Sequence, residues 1–326
     1  MEKKNLKDII LKCLTLLLAL IFVCSVLYLA EPLLKAERKD IEVTASTKTI
    51  VRDGKSYFPR QDITVIMVLG IDKYGERAPT NNYRNEGAAD SIMLLIFDEK
   101  EKTCDILCLN RDTMVNMDVL GLKGELAGTS YGQLALAHTY GDGMEESSQN
   151  VKNTLQKFIH GLSIDYCVSM NMDAIPIAND AVGGVKVTVK EDFSKVNPTI
   201  KMGEITLKGD QVIDYVRTRK DVGNQKNLTR MERQQEYVKG FISALKDKSS
   251  KDLNFALSLY DAVAPYIVTD LTPSNINSML QRYSSFDLGE FFTYEGENII
   301  KDGYYQFIVD EEKFDALTVK LFYSEK

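Results

Sequence analysis

Residues 9–30, IILKCLTLLLALIFVCSVLYLA, are apolar or small throughout, with one charge at the edge, Lys12. As a helix rising about 1.5 Å per residue the run would reach roughly 33 Å, enough to cross a hydrocarbon layer. Lys3, Lys4, Lys7 and Lys12 come before or at its start. The positive-inside bias therefore keeps residues 1–8 in the cytoplasm and exports the rest of the chain. Lys35, Arg38 and Lys39 on the far side weaken that asymmetry. A cleaved signal peptide is the alternative, but Tyr28-Leu29-Ala30 lacks the small residue expected three positions before a cut. The expectation is an uncleaved, single-pass signal-anchor in the cell membrane, with the C-terminal bulk extracellular.

Beyond the anchor the chain has the composition of a folded domain. The 326-residue chain is 44% hydrophobic and 27% charged, so disorder is not its default state. A net charge of -7 disfavours a general nucleic-acid binder, which needs a basic field to displace counterions. His138 and His160 are the only histidines, which rules out a multi-histidine zinc centre and gives a histidine triad little support. Cys13 and Cys24 fall in the anchor, leaving Cys104, Cys108 and Cys167 outside, too few for a closed disulfide framework. Oxygen ligands are the better metal candidates.

Residues 31–60 are polar without clear periodicity and read as a stalk. The domain proper, 61–248, opens with ITVIMVLGID (63–72), a continuous apolar run suited to a strand buried on both faces. DSIMLLIFDEK (90–100) and TCDILCLNRDT (103–113) repeat the pattern. QNVKNTLQKFIHGL (149–162) places Val151, Leu155, Phe158, Ile159 and Leu162 at helical spacing, and IDYCVSM resumes a strand. Asp173 is placed to cap a helix that Gly183-Gly184 stops, before the strand VKVTVKEDF. The order β-β-β-α-β-α-β predicts a three-layer α/β fold with a central mixed sheet. Residues 249–326 add helical and strand-like pieces, DLTPSNINSMLQRY and YYQFIVD, read as an extension packed on the domain.

Chemistry concentrates at strand ends. Asp72 closes LGID and precedes the long polar loop KYGERAPTNNYRNEGAA, and Asp90 opens the next apolar run. If the two strands are neighbours, the carboxylates meet at one sheet edge, a hard-oxygen site suited to magnesium or manganese. Taken singly, each aspartate also reads as a turn or capping residue. Arg111 and Asp112 adjoin where LNRDT ends a strand. In GDQVIDYVRTRKDVGNQKNLTRMERQQEY (209–237), a short helix from Asp210 giving way to a strand at VRTR would project Arg217 and Arg219 to one face. Arg230 and Arg233 share a face of the helix after them, with Gln234 beside them. Guanidinium groups offer planar bidentate donors to phosphate. The alternative is a solvated face with surface ion pairs.

These motifs together resemble the LytR-CpsA-Psr family of cell-wall glycopolymer ligases. The resemblance rests on LGID, ADSIMLL, NRDT, GQLALAHTYGDG, IDYCVSMNMDAI, DAVGGVKVTV, LKGDQVIDYVRTR and RMERQQ, in order over about residues 62–245. It implies a phosphotransferase that moves a glycopolymer of teichoic acid or capsule type from a polyprenyl-pyrophosphate carrier to a peptidoglycan hydroxyl. Asp72 and Asp90 match the family's metal-holding aspartates, for Mg2+ or Mn2+. Arg111, Arg217 and Arg219 match its pyrophosphate-binding arginines, with Asp72, Asp90 and Arg111 as the catalytic set. Arg230, Arg233 and Gln234 match its later arginine-rich helix. The lipid tail is expected in an apolar cleft between sheet and helices, lined by residues such as Leu94, Ile96, Phe158 and Val182.

Two positions depart from the pattern: Ala88 where members often carry arginine, and Asn110 where they often carry proline. Arg77 or Arg84 is the candidate source of the missing charge. Two other readings compete: a noncatalytic lipid-pyrophosphate-binding regulator, and within the enzyme class a pyrophosphatase or a ligase acting on protein. A transcriptional attenuator is disfavoured by the anchor, the acidic balance and the lack of a DNA-reading motif.

Overall fold

The computed structural model describes residues 49–325, apart from residues 53, 81, 83, 122, 219, 223–226, 253–254, 273–274, 276–277, 280–281, 284 and 302. The expected anchor at 9–30 and Arg219 lie outside the described residues. Among those described, no helix is long and apolar enough to cross a membrane.

The apolar runs become the middle of one mixed sheet. Its strands are β3 (Ile63–Ile71), β4 (Ala89–Asp98), β5 (Thr103–Leu109), β8 (Tyr166–Asn171), β11 (Ile267–Thr269) and β12 (Asp287–Phe292), in the order β11-β8-β3-β4-β5-β12. β3 pairs antiparallel with β4 and parallel with β8, β4 pairs antiparallel with β5, and β12 joins β5 in parallel. β11 closes the other edge antiparallel to β8. Residues 249–326 thus supply both edge strands.

Helices cover both sides of the sheet. Along β4, Met93, Leu95 and Phe97 face one core, and Ile92, Leu94 and Ile96 face another, the alternation of a pleated strand. Around the first core pack α2 (Ala174–Ala181), α3 (Gln211–Arg217), α4 (Asn227–Lys251) and α5 (Phe255–Val263). The second core takes Val151, Leu155 and Ile159 from α1 (Glu145–Phe158) and its C-cap, and Phe314, Leu321 and Phe322 from α6 (Glu311–Phe322). Each such aliphatic or aromatic side chain, fully buried, contributes about 1.5–3 kcal/mol.

Between these elements lie smaller pieces. The hairpin β6 (Met114–Leu120) and β7 (Leu126–Gln133), with a 3-10 helix after it at Leu134–Thr139, had no sequence signal strong enough to read. The expected strand at VKVTVKEDF forms as β9 (Val185–Val189), but it pairs only with β10 (Gly203–Leu207), in a ribbon apart from the main sheet. Gly240 lets α4 lie against that ribbon, since a Cβ there would come within 2.4 Å of Lys186 O. At the end of α2, Gly184 has φ +94° and a Cβ on it would meet Leu207 O at 2.8 Å, so the Gly183-Gly184 stop requires glycine. A further hairpin, β13 (Gly296–Lys301) and β14 (Tyr304–Val309), leaves the sheet after β12. Within the segment read as a stalk, β1 (Ile50–Arg52) and β2 (Lys55–Pro59) join β15 (Tyr323–Glu325) in a small antiparallel sheet.

Candidate active site

The ends of β3, β4, β5 and β8 meet at one edge of the sheet, and a bulge there sets the site. The ladder runs Gly70↔Ser91 and then Ile71↔Ala89, leaving Asp90 as the extra residue of β4. Regular alternation would turn Asp90 to the face opposite Ser91. The bulge re-aims it, so that both residues line the same cavity. Asp72 comes directly after β3, its N–H donating to Ala88 O at 2.9 Å. The two aspartates therefore come from neighbouring strands at one sheet end, as the sequence suggested.

Each aspartate is held by arginine, in different surroundings. Asp90 is 8% exposed. Arg111 Nη1 donates to its Oδ1, Arg230 Nη1 lies 3.3 Å from its Oδ2, and Arg230 Nη2 donates to its carbonyl at 3.1 Å. Arg230 is itself buried. Two charges taken out of water cost several kcal/mol each, and they persist here because they are paired and hydrogen-bonded. Asp72 is more open, its Oδ1 2.9 Å and Oδ2 3.1 Å from Arg217 Nη2, whose side chain is 43% exposed. That contact raises the Arg217 pKa further above its ordinary value.

Arg217 ends a helix rather than opening a strand, which corrects the expected VRTR strand. After Asp210 the chain forms a full α3, and the last turn exposes carbonyls that lack helical partners. Side chains of α4 take them up. Arg233 Nε donates to Tyr215 O at 2.9 Å and its Nη2 to Thr218 O, while Gln234 Nε2 donates to Val216 O at 3.1 Å. Arg233 also pairs with Glu191 at 3.5 Å and stacks over Phe193, and burial lowers its pKa. It is placed as a clamp on the turn that carries Arg217, with its donors aimed at backbone. Gln234 does both, its Oε1 lying 3.4 Å from Ser91 Oγ at the cavity wall.

Behind this charged rim opens a cavity of about 180 Å³. Its walls are Met93, Leu95 and Met170 from the sheet, Ala178 from α2, and Tyr237 and Phe241 from α4; Asp90, Ser91, Arg217, Arg230 and Gln234 line its polar end. The residues expected to line a lipid cleft are placed otherwise. Leu94, Ile96 and Phe158 belong to the core on the opposite face, and Val182 packs in the first core away from this wall. The correction is one of parity: the neighbours Met93 and Leu95 are the residues that face the cavity.

Neither Arg77 nor Arg84 reaches the cavity wall. Arg77 donates to Asn171 Oδ1 at 3.1 Å, to Gly143 O at 2.7 Å and to Ser169 Oγ at 3.2 Å, and burial lowers its pKa to about 10. Arg84 donates to Thr139 Oγ1 at 2.9 Å and stacks over Tyr140. Both pin the long loop after Asp72. Asp173 does the same: it makes no cap bond to α2 and instead accepts from Gly75 N–H at 2.6 Å. His138 Nδ1 contacts Gly87 O at 2.7 Å, and burial lowers its pKa to about 3, so the ring is neutral. Asn110 Oδ1 accepts from Asp112 N–H at 3.0 Å and shapes the turn that presents Arg111. Cys104, Cys108 and Cys167 are buried free thiols.

Known proteins resemble this chain in sequence and fold. The LytR_cpsA_psr family model matches residues 33–322. The polyisoprenyl-teichoic acid–peptidoglycan teichoic acid transferase TagT of Bacillus subtilis is 30% identical over 241 residues, 67% of this chain and 68% of TagT. The enzyme TagU of Oceanobacillus iheyensis, which carries the same activity name, is 24% identical over 81% of this chain and 77% of its own. A crystal structure of B. subtilis TagT superposes with a TM-score of 0.58 at 25% identity, covering 85% of this chain and 96% of TagT. With a family match across nearly all of the described domain, and the same mixed-sheet fold, the chain belongs to the LytR_cpsA_psr family.

Proposed function

We propose that this protein transfers a phospho-glycopolymer of teichoic-acid type from a polyprenyl-pyrophosphate carrier to peptidoglycan. One observation carries the reading: a single cavity joins an apolar chamber to a rim of Asp90, Arg217, Arg230 and Gln234. A ligand that fits both ends has an apolar tail and an anionic head, the chemistry of a lipid pyrophosphate. The names of the relatives, polyisoprenyl-teichoic acid–peptidoglycan transferases, support the same substrates. The anchor at residues 9–30 would keep the domain beside the membrane that supplies the carrier.

Phosphoryl transfer depends mainly on positioning and on neutralising charge at the transferring and leaving groups. Arg217, with Arg219 two residues on, binds the pyrophosphate. Arg111 and Arg230 hold the Asp90 carboxylate and add positive charge at the cavity mouth. Arg233 keeps the Arg217 turn in place. Asp72, partly exposed with Arg217 as its salt-bridge partner, is the better placed carboxylate to take the proton of the attacking hydroxyl.

The donor set also fits a divalent cation. Among the described residues no group of three or more His, Cys, Asp or Glu forms a cage, whereas Asp72 and Asp90 come together at one sheet end. Magnesium typically accepts one or two carboxylates and completes its shell with water and substrate phosphate. Asp72 and Asp90 would hold Mg2+ or Mn2+, which would neutralise charge on the pyrophosphate.

The test uses the full chain in detergent with a polyprenyl-pyrophosphate-linked glycan, peptidoglycan and Mg2+, measuring release of polyprenyl phosphate. Release should stop with a chelator and fall at least ~100-fold in Asp90→Asn, the scale of losing a preorganised charge contact. Lipid binding with no release under any cation would favour a noncatalytic carrier-binding regulator. Release into water without peptidoglycan labelling would favour a pyrophosphatase.

A further inference from the structure

A hydroxyl that displaces a phosphate ester in line arrives opposite the leaving group. In the proposed reaction, polyprenyl phosphate departs into the chamber on the α2–α4 side of the sheet, so the acceptor approaches from the other side. The Arg111–Asp112 turn and the hairpins β6–β7 and β13–β14 build that side. They are joined tightly: Phe307 N–H donates to Asp112 O at 2.9 Å, and Gln133 Nε2 donates both to Asp112 Oδ1 at 3.0 Å and to Tyr305 O at 2.7 Å. Their buried side chains, among them Val115, Met117 and Phe307, belong to the second core, opposite the chamber.

These hairpins nevertheless expose large flat side chains. Tyr131 is 60% exposed and Tyr305 46%, with Ile300 at 67%; Tyr304, next to Tyr305 on the strand, projects to the other face of the hairpin. Tyr131 lies two residues from Gln133 along β7, so it projects to the side on which that amide meets Tyr305. Ile300 and Tyr305 are direct cross-strand partners. Adjoining apolar groups left in water mark an interaction surface more often than chance. A tyrosine ring offers a flat apolar face with a hydroxyl at its edge, suited to a pyranose ring, whereas an anionic ligand would call for arginine or lysine.

We propose that Tyr131 and Tyr305 form a stacking rim for the sugar rings of the acceptor glycan, presenting its hydroxyl to the Asp90–Arg111 end of the cavity. The proposal rests on the transfer reaction proposed for the site. In that step the acceptor oxygen forms a bond to the phosphorus bearing the donor glycan, and the bond from that phosphorus to the bridging oxygen breaks. The electron pair leaves with polyprenyl phosphate, and the hydroxyl proton passes to Asp72.

The experiment titrates full-length protein in detergent with a soluble β-1,4-linked N-acetylglucosamine tetramer, monitored by ligand-observed NMR. Wild type should bind. The Tyr131→Ala/Tyr305→Ala double variant should bind about tenfold more weakly, from the loss of two aromatic contacts. Tyr305→Phe should keep the affinity, because the ring and not the hydroxyl does the stacking. Met202→Ala, an exposed apolar residue on β10's flank, is the control and should change nothing. Equal binding by wild type and the double variant would overturn the rim, as would no binding by wild type. If the double variant keeps the sugar but loses association with vesicles of anionic lipid, the surface faces the membrane and the proposal fails. Tetramer binding lost in the double variant, with no polyprenyl phosphate released by wild type, would sink the transfer reaction while leaving the rim standing.

Discussion

The two faces of the central sheet are built from the same strands and used for opposite ends. On the α1–α6 face, Ile92, Leu94 and Ile96 of β4 meet Val151, Leu155 and Phe322 in a filled core. On the α2–α4 face, Met93 and Leu95 of the same strand help wall a cavity of about 180 Å³ that ends in charge. A sheet filled on both sides would be more stable, since void surface forfeits packing contacts. Leaving one side open creates the cavity that the proposed function uses, and the arginine pairs of Asp90 stabilise its mouth.

The largest expected effect breaks that mouth. Asp90→Ala leaves Arg111 and Arg230 without their shared carboxylate in a buried place. It should lower unfolding free energy by about 3–5 kcal/mol, read by denaturant titration, and abolish turnover. A loss below about 1 kcal/mol would mean that water already enters the pair.

Filling each face with one extra side chain sharpens the contrast. Ala137→Leu, in the filled core, should cost about 1–3 kcal/mol from overpacking. Ala178→Leu, on the cavity wall, should cost less than that or stabilise, while weakening lipid binding measured by calorimetry. Equal costs would show that the cavity is collapsed in solution.

An effect that is small near neutral pH comes from the buried ring of His138. Its folded pKa of about 3 lies below the ordinary value near 6.5, so between these the unfolded chain binds the extra proton. Stability should therefore fall as pH drops from about 6.5 toward 3, by up to ~1.4 kcal/mol per pH unit. His138→Gln should remove that slope from a melting-temperature series; an unchanged slope would place the proton elsewhere.

The smallest stability effect belongs to the open pair. Arg217→Ala should change unfolding free energy by less than about 1 kcal/mol, because both partners are partly solvated. The same variant should still lose pyrophosphate-lipid affinity, and a matching loss of stability would mark Arg217 as structural.

Legibility in the sequence divides along the same line. Asp72, Asp90 and Arg111 stood out because charges at the ends of apolar strands are visible without coordinates, and Arg217 because it is paired with an arginine two residues on. Leu94 and Ile96 misled because a strand buried on both faces carries no polar residue to tell its sides apart, and the bulge at Asp90 shifts the parity of the strand end. The role of Arg233 was hidden because spacing of three placed it beside Arg230, while its partners are carbonyls of another helix. VRTR read as a strand because β-branched residues and alternation cannot report that α3 runs on to Arg217. β11 and β12 arrive from far along the chain, and no local signal reports long-range pairing.

The division of labour between the two faces is tested most directly by a structure of the protein bound to a nonhydrolysable polyprenyl-pyrophosphate sugar. The polyprenyl tail should lie between Met93, Leu95 and Met170 on the sheet and Phe241 on α4, with the pyrophosphate against Arg217 and beside Asp90. A tail lodged on the Leu94–Ile96 face, or a pyrophosphate bound away from both aspartates, would contradict it.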